Sequence, residues 1–373
     1  MTKPRVLMIY SEATPYVLGF ARETEKCTCG HIDVLFVHEN KSQKWNLALD
    51  DLNARVLPRR LPLAALKVIG IIGQGRYNVI HLGGWSEIPI LVALITAWLL
   101  QIPVTVDSDT HLVRRVAGWK RFLKRALYPL LLRIPKMLLP CGTKQAAYFH
   151  NYGVKTKRIT ILPMTVDVNY IGKRCSELGP SGRVAIRKRL GFSADDLVYI
   201  YVGRLFDYKG ILDLLDAFER LSAILQKTRL LIVGDGVERQ SVEDAAGKNH
   251  SMKYAGQLDR EGLFEMYHAS DVLVVPSHRE QWGLVVNEGM AAGLPVIATD
   301  SVGCVGDLVM NDVTGKVIKT GNISDLVDAM TFIAINQSER ERLGKMADSI
   351  ISDWTLEKSA KIIADVWMRV GKL

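Results

Sequence analysis

The sequence predicts two successive α/β domains, each built on a parallel sheet. Three observations carry that prediction. Short, wholly apolar runs recur along the chain, as strands buried on both faces require. Longer segments with helical spacing separate them. A polar stretch near the middle, rich in glycine and basic residues, divides the series into two halves of similar size. The chain has 373 residues, enough for two to three domains at about 150 residues each.

In the first half the apolar runs fall at residues 5–10, 32–37, 79–82, 104–106 and 136–140, with a loop expected at 11–19. Residues 88–106 are apolar except for Thr96, Gln101 and Thr105. Such a run approaches the roughly 20 residues that span a bilayer. Pro103 splits it, so it reads as a buried helix followed by a buried strand. The second series of strands is expected at 197–202, 230–233, 253–255, 272–276, 296–298 and 315–318. Ile362, Ile363, Val366, Trp367 and Val370 recur at helical spacing in a last helix that can pack on either domain. The expected division is therefore 1–165, a connection at 166–182, 183–352, and a terminal helical segment at 353–373.

Composition narrows the class. Hydrophobic residues make up 48% and charged residues 23%, which excludes disorder, collagen and coiled coil as the dominant state. Five irregularly spaced cysteines argue against a disulfide framework and for a reducing compartment. Cys27 and Cys29 lack a second pair that would complete a metal site. The apolar run after Lys3 and Arg5 ends at Tyr10, too short for a signal-peptide core, so a cytoplasmic protein is expected. The net charge is +9, and residues 110–166 contain no Asp or Glu but twelve Lys and Arg. Such a stretch faces an anionic partner. Within it, Lys120, Arg121, Lys124 and Arg125 share one helical arc of about 140°, with Phe122, Leu123, Ala126 and Leu127 opposite. That is the pattern of a basic amphipathic helix lying on an anionic membrane. No stacking aromatics interleave the charges as a single-strand nucleic-acid binder needs, so nucleic acid is not the expected partner.

Ligands of open α/β sheets bind beyond the carboxyl ends of the strands. After residues 197–202 comes Gly203-Arg204, then Lys209-Gly210, and two cations at a strand mouth suit a phosphate or diphosphate. Residues 276–298 read as strand end, loop, helix, turn and strand. Seven residues separate Glu280, in the loop, from Glu288, in the first turns of a helix starting near Gly283 or Leu284. The free amides of a helix start bind anions. Carboxylates accept hydrogen bonds from sugar hydroxyls. The combination describes a nucleotide-sugar pocket; the plainer alternative is that Glu280 caps the helix and Glu288 is solvated.

These motifs resemble the retaining glycosyltransferases of the GT-B fold, family four, also called glycosyl transferases group 1. The resemblance rests on Gly203-Arg204 with Lys209-Gly210, on the Glu280-to-Glu288 spacing, and on Gly293-Leu294-Pro295-Val296-Ile297-Ala298. Weaker matches are Val233-Gly234-Asp235-Gly236, Tyr254-Ala255-Gly256-Gln257-Leu258, Ile161-Leu162-Pro163 with Val166-Asp167, and Asp353-Trp354. The resemblance implies two Rossmann-like domains facing across a cleft, and transfer of a sugar from a UDP or GDP sugar to a hydroxyl without metal or other cofactor. Arg204 and Lys209 would hold the diphosphate and stabilise its leaving charge. Glu288 would bind the ribose and Glu280 the transferred sugar, while the amides of Gly283 and Leu284 touch phosphate or sugar. Gly203, Val285 and Leu258 complete the donor side, and Gly19 would let the donor approach the first domain.

The departures from the family are specific. Gln281-Trp282 stands where the family has Pro-Phe, and Gly303-Cys304-Val305-Gly306-Asp307 where it has a glycine pair. The family histidine after the strand at 104–106 falls on Asp109, with His111 two residues later; either would contact acceptor or sugar. His81 and Trp85 are expected on the acceptor side. With the basic stretch, the resemblance points to a lipid-linked glycan or polysaccharide precursor as acceptor, and to a protein peripheral on the inner face of the membrane. The alternative is a soluble acceptor. A dinucleotide-dependent oxidoreductase is excluded, because neither half has Gly-x-Gly-x-x-Gly after its first strand.

Overall fold

The computed structural model describes residues 4–28, 30–39, 52–112 and 127–371. The chain divides into two units: Met1–Val166 with Thr355–Leu373, and Asp167–Trp354. The basic residues Lys120, Arg121, Lys124 and Arg125 lie outside the described residues, as does Cys29.

The first unit holds a parallel sheet of β1 (Arg5–Glu12), β2 (His31–His38), β3 (Asn53–Val56), β4 (Val79–Gly83), β5 (Val104–Ser108) and β6 (Met137–Pro140). Its order is β3-β2-β1-β4-β5-β6, reversing direction beside β1. Val6 to Ile9 and Val79 to Leu82 are almost fully buried, as two-sided strands must be. The short edge strand β3 was not anticipated, because it alternates exposed and half-buried residues instead of forming an apolar run. The apolar stretch at 88–106 is a helix, Ile88–Leu99, followed by β5. Among the described residues no helix is long and apolar enough to cross a membrane.

Two expectations are corrected in this architecture. The loop expected at 11–19 is instead the end of β1 and the start of a helix, Pro15–Thr28. Proline suits a first helical position, and the Leu18 amide already donates to the Thr14 carbonyl at 3.1 Å. Gly19 is therefore inside a helix, where an added Cβ would sit 3.2 Å from Leu356 of the terminal helix. Its smallness serves helix packing. The expected connection at 166–182 is likewise helical, Val168–Leu190. Asp167 caps it by accepting from the Tyr170 amide at 3.0 Å. The polar, glycine-containing composition reflects a break at Gly179, with φ of 59°, just before Pro180. Arg183 and Arg187 then bind Asp271 at 2.5 and 2.6 Å, fixing this helix within the second unit.

The terminal helix Leu356–Gly371 packs with Pro15–Thr28 in the first unit. Its Ile363, Val366 and Trp367 share one core with Val6, Met8, Leu18 and Val34. The second unit repeats the parallel design with β7 (Leu197–Val202), β8 (Thr228–Val233), β9 (Met252–Gly256), β10 (Val272–Val275), β11 (Val296–Thr299) and β12 (Gly315–Ile318). Its order is β12-β11-β10-β7-β8-β9.

Gly234 follows β8 with φ of 137°, and an added Cβ would lie 1.8 Å from the Gly203 carbonyl oxygen. Gly191 also has a positive φ, 81°, but open space around it. Gly191→Ala should cost about 1–2 kcal/mol of backbone strain. Gly234→Ala should cost clearly more, because backbone must also move. Denaturant unfolding of the two variants measures the difference; equal losses would contradict the close approach.

Candidate functional site

In the second sheet β7 lies between β10 and β8, the point where strand order reverses. Crevices open at such points beyond the carboxyl ends of the strands. The loops after β7 and β10 meet there. The His278 and Arg279 amides both donate to the Tyr208 carbonyl, at 2.9 and 3.2 Å. Lys209 Nζ donates to Glu280 Oε2 in an ion pair whose side chains are 15% and 18% exposed. Gly210 turns the chain at φ of 71°, and a Cβ there would sit 2.0 Å from the Pro276 carbonyl oxygen. Only glycine lets these loops pass so closely. The exposed Arg204 guanidinium lies 5.5 and 5.8 Å from the ring centres of Phe206 and Tyr208.

The helix after this loop is Leu284–Ala291, entered through Gly283 with φ of 99°. Trp282 fixes the entry: it is buried, stacks on Trp354 with ring centres 5.3 Å apart, and donates to Asn287 Oδ1 at 3.1 Å. Glu280, Gly283 and the half-buried Leu284 and Val285 thus follow β10 in order. Glu288, one turn further, accepts a hydrogen bond from the Tyr267 hydroxyl at 2.7 Å. Burial pushes its carboxyl above the ordinary range, against the opposing pulls of Tyr267 and Arg260. Glu288 is therefore neither solvated nor a cap. Gly203 follows β7, with its amide donating to the Val233 carbonyl at 3.0 Å. Leu258 is half-buried after the edge strand β9.

The first unit holds a cavity of about 640 Å³. It opens past the ends of β1, β4 and β5, again where strand order reverses. Tyr10, Glu12, Tyr16, Trp85, Asp107 and Asp109 are among its lining residues. Trp85 is held edge-on by Phe149 and Tyr128, with centres 5.9 and 6.1 Å away. Of the two candidates after β5, the exposed Asp109 lines the cavity, while His111 is buried and is not among the lining residues. Asp107 and Asp109 both reach the wall, yet among the described residues no group of three or more His, Cys, Asp or Glu is placed to hold a metal.

His81 is not on that wall. It sits mid-strand between β1 and β5, opposite Met8 and Thr105, so its side chain points into the sheet face covered by Trp367, 5.7 Å away. It is fully buried in a hydrogen-bonded row. Trp367 Nε1 donates to Thr105 Oγ1 at 3.1 Å, and Thr105 Oγ1 meets His81 Nδ1 at 2.9 Å. His81 Nε2 meets the Tyr10 hydroxyl at 3.0 Å, and Tyr10 donates to Asp107 Oδ2 at 2.9 Å. Since indole only donates and carboxylate only accepts, one proton arrangement satisfies every member. Thr105 donates to Nδ1, and Nε2–H donates to Tyr10. The row orients Tyr10 and Asp107 at the cavity wall. Burial and the Asp107 charge hold the Tyr10 hydroxyl well above its ordinary pKa, so it stays a donor. Sequence reasoning missed Tyr10 and Tyr267; Tyr10 was legible only as the last residue of an apolar strand, and Tyr267 carried no signal.

Residues 183–349 match the family model of glycosyl transferases group 1, and residues 13–165 match that of the glycosyl transferase 4-like domain. The chain belongs to the GT4-type glycosyltransferases of the GT-B fold. A glycogen synthase of Mycobacterium tuberculosis (strain CDC 1551 / Oshkosh) is 26% identical over 344 residues, which are 89% of this chain and 77% of the relative. A D-inositol 3-phosphate glycosyltransferase of Kribbella flavida is 28% identical over 326 residues, 80% of this chain and 73% of the relative. The crystal structure of Anabaena Alr3699/HepE in complex with UDP shares the fold, with a TM-score of 0.81 at 17% identity over 98% of this chain and 100% of that one.

The raised Glu288 pKa gives a pH test. Above the unfolded pKa, near 4.5, the buried carboxyl must ionise at a cost, so its contribution to stability is lost as pH rises through the folded value. Glu288→Gln keeps an acceptor for Tyr267 and removes the charge. The variant should melt above wild type at pH 8, with the gap closing as pH falls toward 4.5. A gap constant with pH would contradict the burial.

Proposed function

We propose that the glycosyltransferase moves a sugar, with retention of anomeric configuration, from a uridine or guanosine diphosphate sugar to a hydroxyl of a lipid-linked glycan or polysaccharide precursor at the cytoplasmic face of a membrane. The observation that carries the donor site is the Lys209–Glu280 pair at the reversal of the second sheet, beside Arg204 and the Gly283 helix start. On binding, the diphosphate takes Arg204 and Lys209. Lys209 leaves Glu280, whose carboxylate is then free to accept from hydroxyls of the transferred sugar. Glu288 accepts from the ribose, and Leu258 borders the base. The amides of Gly203, Gly283, Leu284 and Val285 complete the cradle.

The first-unit cavity takes the acceptor. Trp85 offers an apolar ring face, and Asp109 and Asp107 accept from hydroxyls. Retention places the attacking hydroxyl on the same face as the departing diphosphate. A new bond forms from its oxygen to the anomeric carbon as the bond from that carbon to the phosphate oxygen breaks. The released phosphate oxygen takes the hydroxyl proton, and the two cations stabilise the remaining charge. The family resemblance supports retention, and the charge of residues 110–166 supports a membrane-borne acceptor. Similarity to a glycogen synthase favours the second reading, a soluble glycan acceptor.

Lys209→Ala and Arg204→Ala should each lower kcat about a hundredfold, roughly 3 kcal/mol in barrier. Arg204→Ala should keep the wild-type melting temperature, whereas Lys209→Ala should lower it by leaving Glu280 unpaired, yet still fold. Near-normal turnover in either would contradict the phosphate role. Activity should persist in EDTA; loss restored by Mn²⁺ would make Asp107 and Asp109 a metal site. The anomeric proton of the first product, read by NMR, should keep the donor's configuration, and an inverted product would contradict retention.

A further inference from the structure

The peripheral-membrane reading leaves open which surface meets the bilayer, and the inference that follows rests on that reading. The helix Leu61–Gln74 and the helix Ile88–Leu99 pack side by side on one face of the first sheet. Their inner stripes are ordinary core: Ala64, Val68 and Ile72 on one, Ile90, Ala93, Leu94 and Ala97 on the other. Their outer faces are apolar as well. Leu63, Leu66 and Ile69 project from the first helix, and Ile95, Trp98 and Leu99 from the second, with Leu66, Trp98 and Leu99 65%, 58% and 67% exposed. Nine of the 20 large apolar side chains exposed among the described residues fall between 61 and 100. Scattered exposed leucines are normal, but a cluster of this kind marks an interaction site.

Charge says what covers it. Residues 52–106 contain one acid, Glu87, and five basic residues. Glu87 is turned away, engaged by His38 Nε2 at 3.5 Å and by the Ser11 hydroxyl at 3.3 Å. Arg59 and Arg60 precede the first turn of Leu61–Gln74, Lys67 lies in its middle and Arg76 follows it, all four exposed. Among residues 52–106, exposed apolar side chains stand with exposed cations and no exposed acid, which complements an anionic bilayer surface. A tryptophan at the plane's end suits the headgroup boundary. Each helix is too short to span, since a crossing needs about 20 residues, so the pair lies in the interface plane.

We propose that the outer face of these two helices is the membrane-docking surface of the glycosyltransferase, inserting Leu66, Trp98 and Leu99 among the acyl chains of an anionic leaflet. Arg59, Arg60, Lys67 and Arg76 would engage lipid phosphates around it. This surface is made of residues other than those at 120–125, and it owes its grip to apolar insertion as well as charge.

Co-sedimentation of the full chain with phosphatidylglycerol-containing vesicles tests it. Leu66→Ser/Trp98→Ser/Leu99→Ser should lower vesicle partitioning about tenfold or more, while melting temperature and turnover on a short soluble acceptor stay at wild-type values. Binding should partly survive high salt, unlike a purely electrostatic contact. Wild-type partitioning by the triple variant would overturn the proposal. If that variant binds normally while Lys120→Glu/Arg121→Glu/Lys124→Glu/Arg125→Glu releases the protein, the peripheral reading stands and this surface is wrong. If the wild-type protein binds no vesicle, both fail. A wild-type dimer in solution that the triple variant renders monomeric would also overturn it, by assigning the face to a second copy.

Discussion

The ion pair between Lys209 and Glu280 is the contact on which the second unit's site depends. It joins the loops that leave two neighbouring strands, β7 and β10, at the point where the sheet changes direction. Both side chains are largely removed from water, so each is tolerable only with a partner. That requirement makes the pair exchangeable. A ligand bringing negative charge to Lys209 and hydroxyl donors to Glu280 satisfies both groups at once; a ligand bringing only one leaves the other buried and unpaired. On the proposed roles, the site would favour a molecule that carries phosphate and sugar together.

The backbone around the pair is built to allow that closeness. Gly210 and Gly234 stand where a single added carbon would strike a carbonyl oxygen, at 2.0 and 1.8 Å. Trp282, stacked on Trp354 and bonded to Asn287, holds the entry to the helix that bears Glu288. The first unit solves a similar problem with a row of hydrogen bonds from Trp367 through Thr105 and His81 to Tyr10 and Asp107. The terminal helix supplies Trp367 to this row and Leu356 and Ser359 to the cavity lining, so it supports a wall that begins with Tyr10.

Much of this was legible in the sequence. Parallel strands buried on both faces read as apolar runs, so all but the edge strand β3 were found within a few residues. The placement of Gly203, Arg204, Lys209, Gly210 and Glu280 after β7 and β10 was legible because close backbone approach demands glycine and charged groups follow strand ends. What escaped notice depended on tertiary placement. His81 looked like a cleft residue because it lies in a strand before two glycines, yet strand alternation turns it inward. Gly19 looked like a loop glycine, yet Pro15 starts a helix before it. The polar composition at 166–182 resembled a linker, yet a cap at Asp167 and the Asp271 pairings make it a packed helix. The outer apolar face of Leu61–Gln74 was invisible because burial of a helix stripe cannot be told from exposure by periodicity alone.

The central claim is that Lys209 reads the second phosphate of a nucleotide donor. The most direct measurement is a cycle of ligand against side chain: calorimetric affinities of a nucleoside diphosphate and the matching monophosphate for wild type and Lys209→Ala. The account predicts that removing the lysine and removing the phosphate are strongly non-additive, coupled by about 1.5–3 kcal/mol as for a hydrogen bond to a charged group. Additive losses, with the preference for diphosphate intact in the variant, would contradict it.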